Sequence, residues 1–125
     1  MMKILYVGMG GFLGAILRYV VSGVTQSVFH KPDWPVGTFV VNMIGCVFIG
    51  FLMGLVESRQ MLTPEVRLLL ITGLLGGLTT FSTFAYESTS LLRDGGLAAA
   101  LLNIALHITI GMMAVVVGLA ISRVM

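Results

Sequence analysis

Gly73-Leu74-Leu75-Gly76-Gly77-Leu78-Thr79-Thr80-Phe81-Ser82-Thr83-Phe84 lies within an apolar stretch long enough to cross a bilayer, yet it is poor helix material. Each glycine of the Gly76-Gly77 pair costs about 1 kcal/mol relative to alanine in a helix. Hydroxyl residues then fill four of the five positions 79–83. This composition predicts a break over 76–80. Broken backbone at membrane depth is tolerated where protein or a cavity satisfies it. Its carbonyls can then coordinate a small cation, as in discontinuous transporter helices. The alternative is a kink, with Ser and Thr bonding back to carbonyls of the preceding turn.

Beyond the expected break, Thr79, Thr83 and Glu87 lie four apart and predict a line of hydroxyls and a carboxylate toward the membrane surface. Phe81 and Phe84 are three apart and point to nearly the same side. Two phenylalanines at that spacing serve packing in most helices. A phenyl edge, however, carries partial positive charge, and beside hydroxyl donors it can replace part of the water shell of a small anion.

Working outward, the chain has 125 residues, 58% of them hydrophobic, with 16 glycines, seven Lys/Arg and five Asp/Glu. A soluble domain devotes about a quarter of its residues to charge, and this chain does not. Four stretches approach the roughly 20 apolar residues that a membrane helix needs. Their approximate spans are 4–28, 36–56, 67–92 and 97–123, the third uncharged over 68–86. Together they predict an all-α membrane protein, one four-helix transmembrane domain over 1–125. The first stretch is too long for a secretory signal and lacks a small-residue cleavage site, so it reads as a membrane span. The connections are short: His30 to Pro35, Glu57 to Pro64, and Arg93-Asp94-Gly95-Gly96. Function therefore sits within the bilayer or at its edges. A net charge of +2 is too small and dispersed for nucleic-acid binding. No Walker loop, zinc spacing or nucleophile elbow is present, so an enzyme is not expected. Cys46, the single cysteine, can form no intramolecular disulfide.

Four spans place both termini on one side, with Lys3, Arg59, Arg67 and Arg123. The other side holds Lys31 and Arg93, with Arg18 nearer it. That is almost no bias, whereas a fixed orientation rests on an excess of Lys and Arg. Either the termini are cytoplasmic with a weak signal, or the chain inserts both ways and pairs with an inverted copy of itself. Four short helices enclose little pore, so a homo-oligomer is expected in both cases.

Small and polar residues recur every four positions: Gly10, Gly14, Arg18, Ser22 and Gln26 in the first span, and Thr38, Asn42, Cys46, Gly50 and Gly54 in the second. For the glycines this spacing predicts close helix packing. An intramembrane arginine costs about 2.5 kcal/mol or more unless it snorkels, pairs or faces water. Arg18 thus either reaches the headgroups or lines a vestibule that attracts anions. Asn42 is either interhelical glue or a donor to a permeating ion. In the fourth span, Asn103, His107 and Gly111 repeat the spacing, and the lone His107 is expected to pack rather than ligate.

Three motifs in order resemble the Fluc (CrcB) fluoride channel family over essentially the whole chain: Gly10-Gly11-Phe12-Leu13-Gly14-Ala15 with Arg18-Tyr19, Gly37-Thr38-Phe39-Val40-Val41-Asn42, and Gly73 through Phe84. The resemblance implies an antiparallel, dual-topology homodimer in the cell membrane, with two pores along the subunit interface. It also implies a structural, non-transported sodium ion at the dimer centre, held by main-chain carbonyls of Gly76 and Thr79 from each subunit. Phe81 and Phe84 match the phenylalanines whose ring edges line the pores. Asn42 matches a pore asparagine, Ser82, Thr83 and Glu87 the polar track beside it, and Arg18 the vestibule arginine. Some relatives carry Ser or Thr on the fourth helix where this chain has Gly111 and Val115, and Thr109 is expected to face elsewhere. The implied activity is passive, selective export of fluoride.

Two other classes share parts of this pattern. A small multidrug-type proton-coupled transporter has the same size and topology but needs a carboxylate deep in its first helix, and no Asp or Glu precedes His30. A non-transporting scaffold subunit accounts for the glycine stripes but not for Arg18, Asn42 and the broken third span.

Overall fold

In the computed structural model, residues 1–29, 34–59 and 61–124 are described. The first connection, His30 to Asp33, with the Lys31 counted in the charge comparison, lies outside the described residues. The side chain of Arg59 does too. The described chain is all helical. The helices α1 (Met2–Phe29) and α2 (Val36–Arg59) are followed by a composite third span. This comprises α3 (Pro64–Arg67), a π-helical stretch (Leu68–Leu75), α4 (Gly76–Leu78) and, after two extended residues, α5 (Phe81–Arg93). The last helix is α6 (Leu97–Val124). Among the described residues, four helical segments are long and apolar enough to cross a membrane: Met2–Phe29, Val36–Glu57, Pro64–Arg93 and Leu97–Val124.

Local chemistry sets the ends. Thr63 caps α3, its hydroxyl accepting from the Val66 amide at 3.4 Å, with Pro64 in the first turn where its missing N–H costs nothing. At the end of α5, Gly95 adopts φ +81°. Its amide donates to the Leu92 carbonyl, and that of Gly96 to the Leu91 carbonyl, closing the helix by a paired C-terminal cap before α6 starts.

Packing is by backbone approach rather than by a large apolar core. Among the described residues, the buried hydrophobic set is small, with Val41, Leu75 and Leu78 at its centre, while Phe12, Ile16 and Met112 lie exposed. Lipid tails are as apolar as these side chains, so burying them gains little and close contact decides association. The most extensive contacts are α2 with α6, and α1 with the first half of the third span. The glycines read from the sequence as packing faces are found there. Gly10 and Gly14 lie on the backbone of Leu69, Leu74 and Leu78, Gly50 lies on the backbone of Val115 and Gly54 on Ser122 of α6.

The π-helical stretch has no counterpart in the sequence reading. A π-helix widens the turn, and this one runs along the line where Gly73 meets Val7 and Gly10 of α1.

A candidate ion path at the broken third span

The third span breaks at Thr79 and Thr80, both extended (ψ 157° and 113°). The break is held open by named bonds. Asn42 on α2 clamps Thr80 with both ends of its side-chain amide: Oδ1 accepts from the Thr80 amide at 2.9 Å, and Nδ2 donates to the Thr80 carbonyl at 3.2 Å. Thr80 then caps α5, its hydroxyl oxygen accepting from the Thr83 amide at 3.2 Å. In an unbroken helix the amides of Thr80 and Thr83 would bond to the carbonyls of Gly76 and Thr79, four residues earlier. Here both amides are diverted to side chains.

The break also changes the expected register. Thr79 was expected in line with Thr83 and Glu87. The two extended residues separate them, and its hydroxyl instead turns back to the Leu75 carbonyl at 3.0 Å. Thr83 and Glu87 share a vestibule of about 780 Å³ with Ser22, Gln26, Thr38 and Ser90. Thr79 lies in a separate groove of about 430 Å³ with Asn42, Gly76, Phe81, Phe84 and His107. Asn42 and Thr80 line the groove, and Thr83, bonded to Thr80, lines the vestibule.

Phe81 and Phe84 do share a face, with ring centroids 5.6 Å apart. Phe81 is 79% exposed, Ser82 and Thr83 are exposed beside it, and Gly76 is open, with no atom near the position of an added methyl. The Thr80 hydroxyl donates to Thr83 Oγ1 at 2.9 Å, which leaves the Thr83 proton free to point outward. Glu87 accepts from the Thr38 hydroxyl at 2.6 Å, while its other oxygen is buried without a partner among the described residues. Arg18 is half-buried one turn before Ser22 and does not line the vestibule.

Trp34, Phe39 and Thr80 were not singled out from the sequence, whereas Phe81, Phe84 and His107 were. Trp34, Phe39, His107, Phe84 and Phe81 form a continuous series of ring contacts, with centroid distances of 5.7, 5.1, 4.4 and 5.6 Å. His107 donates from Nδ1–H to the Asn103 carbonyl at 3.0 Å, and its buried Nε2 has no described partner. The expectation that it packs is met by the ring contacts. Thr80 is missed because nothing in the sequence distinguishes it from Thr79. On α6, Gly111 is buried against Met43 and Cys46, and Thr109 is exposed with its hydroxyl bonded to the Ala105 carbonyl at 2.7 Å.

A four-span helical membrane protein with an interrupted third span, ring edges and free hydroxyls at the interruption is a class built for passing or holding ions within the bilayer. The chain belongs to the CrcB family: the family described as "CrcB-like protein, Camphor Resistance (CrcB)" matches residues 5–119. The chain is 50% identical over 123 residues to the fluoride-specific ion channel FluC of Maridesulfovibrio salexigens, covering 98% of this chain and 97% of that protein. The protein of the same name from Chloroflexus aurantiacus is 43% identical over 123 residues, with the same coverage of both chains. That of Clostridium novyi is 39% identical over 118 residues, covering 94% of this chain and 91% of the relative.

Proposed function

We propose that this chain is the subunit of a fluoride-selective channel that passively exports fluoride and so limits its toxicity. The carrying observation is the set of donors around the break: Phe81 and Asn42, with its second amide proton, line the groove, and the exposed Thr83, whose hydroxyl accepts from Thr80, lines the vestibule. Fluoride is small and strongly hydrated, so a path for it must replace water with short, fixed donors. Hydroxyl and amide protons meet that need directly, and ring edges supply a weaker positive rim. Fluoride enters cells as neutral HF and is trapped inside as the anion. Once a path exists, the membrane potential drives it out with about 2.3 kcal/mol per charge per 100 mV. No covalent step is involved, and the protein is not an enzyme.

The same reading includes an antiparallel homodimer in the cell or inner membrane. Its support is the near-absence of charge bias and the exposed face carrying Gly76, Phe81, Ser82 and Thr83. A polar and aromatic face of this kind is better covered by a second copy than by lipid. A structural sodium ion fits the donor set. The carbonyls of Gly76 and Thr79 are among those that lose their helical amides at the break, diverted here to Asn42 and Thr80, and unwound carbonyls suit a hard monovalent cation. These carbonyls would hold the ion, which supplies fixed positive charge at the dimer centre. Arg18, one turn before the vestibule residue Ser22, is assigned to attracting anions.

The test is electrogenic fluoride efflux from liposomes carrying the purified protein. Efflux without a proton requirement supports the channel. Efflux obligatorily coupled to protons favours a transporter of the small multidrug type, and no efflux favours a scaffold subunit.

A further inference from the structure

Resting on the channel reading, we infer that Ser88 and Asn103 form a buried relay that positions Phe84, and that fluoride selectivity depends on it. The helix α5 carries the ring and hydroxyl residues, yet Ser88 is its only wholly buried position among the described residues, at 6% exposure. Apolar burial therefore does little to fix where α5 sits. Its main packing partner is α6, and Asn103, at 0% exposure, is the polar group that α6 offers it.

The geometry converges on Phe84 from two directions. Asn103 Nδ2 donates to Ser88 Oγ at 2.9 Å, and the Ser88 hydroxyl donates to the Phe84 carbonyl at 2.8 Å. The main-chain carbonyl of Asn103 accepts from His107 Nδ1–H, and the His107 ring lies against the Phe84 ring with centroids 4.4 Å apart. One residue thus ties down both the main chain and the aromatic face of Phe84. The polarity of the relay is fixed: serine has a single proton, spent on the Phe84 carbonyl, so Asn103 must present its NH₂. Asn103 Oδ1 is left buried without a described partner. Buried polar atoms are almost always paired, so the site holds an orphan acceptor in order to keep that orientation. Ser88 and Asn103 are positioning residues; neither lines the groove or the vestibule.

The experiment measures fluoride and chloride permeability in liposomes for the unaltered chain, Ser88→Ala, Ser88→Thr and Asn103→Leu. Ser88→Ala and Asn103→Leu are expected to lower the fluoride-over-chloride ratio roughly tenfold, about what one lost hydrogen bond is worth. Ser88→Thr, which keeps the hydroxyl, is expected to restore it. Ser88→Ala in a Phe84→Leu background is expected to add nothing further, because residues acting through one another are not additive. A stable Ser88→Ala protein with an unchanged ratio overturns the relay and leaves the channel reading intact. If Ser88→Ala does not assemble, Asn103→Leu decides, since it keeps the forked shape and removes the orphan acceptor. Absence of fluoride flux in the unaltered chain overturns the channel reading, and this inference with it.

Discussion

The two halves of the third span are built on opposite principles. The half before the break is apolar and rests directly on the backbone of α1, through Gly10, Gly14, Gly73 and Gly77. The half after it, α5, touches its neighbours through polar bonds: Asn42 to Thr80, Thr38 to Glu87, Asn103 to Ser88. In a membrane, where apolar burial between helices gains little, these are the two available means of holding a helix. Where the first half meets α1, at Gly73 and Gly77, it has no room for an added atom and is a rigid support. The second tolerates volume at its exposed face but not the loss of a partner. Phe81, Ser82, Thr83, Phe84 and Glu87, proposed to line the ion path, sit on the second half, which begins where the rigid half stops.

The contrast is broken most severely from the packed side. A methyl at Gly14 would run into the Leu74 carbonyl oxygen and the Leu78 amide, both backbone atoms that cannot turn aside. Gly14→Val is expected to abolish assembly, seen as loss of a monodisperse peak in size-exclusion chromatography. Recovery of an intact protein with normal stability would show that α1 and the third span are not in backbone contact.

Next in size is Phe81→Ile. The ring is 79% exposed and holds nothing in place within its own chain beyond the contact with Phe84. Fluoride flux is expected to disappear while the protein still assembles. Full flux in liposomes would make the ring edges unnecessary and return the two phenylalanines to packing.

Asn42→Ala comes third. It leaves the Thr80 amide and carbonyl without their clamp at a site that is 8% exposed. Unpairing a buried group costs about 1–3 kcal/mol, so thermal unfolding in detergent is expected several degrees lower, with flux reduced. An unchanged melting temperature would mean that the break is set by the Gly76-Gly77 pair alone.

How much of this the sequence disclosed follows from the same division. The spans, the break and the glycine contacts were legible because each depends on residue type at fixed spacing: apolar length, glycine in pairs, small residues every four positions. The clustering of Asn42, Phe81, Phe84 and Gly76 around one groove followed from the family resemblance, not from spacing. Asn42 was left open between glue and donor, and its amide is engaged as glue at both ends while one proton stays free. What the sequence could not yield was the partner of each polar group. Thr79 fell out of line with Thr83 because two extended residues intervene, and no periodicity argument survives an interruption of unknown length. The π-helical stretch was invisible for a related reason: Leu68–Leu75 has an ordinary helical composition, and its widened turn is decided by contact with α1.

The smallest expected effect gives the sharpest comparison, because one substitution is read at two positions of one helix. Gly8 and Gly10 lie two residues apart in α1. An added methyl at Gly8 meets nothing within 4 Å, whereas at Gly10 it would overlap the Leu69 carbonyl oxygen. Helix propensity alone favours alanine over glycine by about 1 kcal/mol at both sites. Gly8→Ala should therefore leave thermal stability unchanged or slightly raised, with flux intact. Gly10→Ala should lower stability, by about 1–3 kcal/mol for overpacking. If the two variants shift the melting temperature in the same direction, propensity or lipid contact governs α1, and glycine in this helix is not there for backbone approach. Opposite signs isolate the carbonyl contact as the cause, since the added atom, the helix and the bilayer are the same in both.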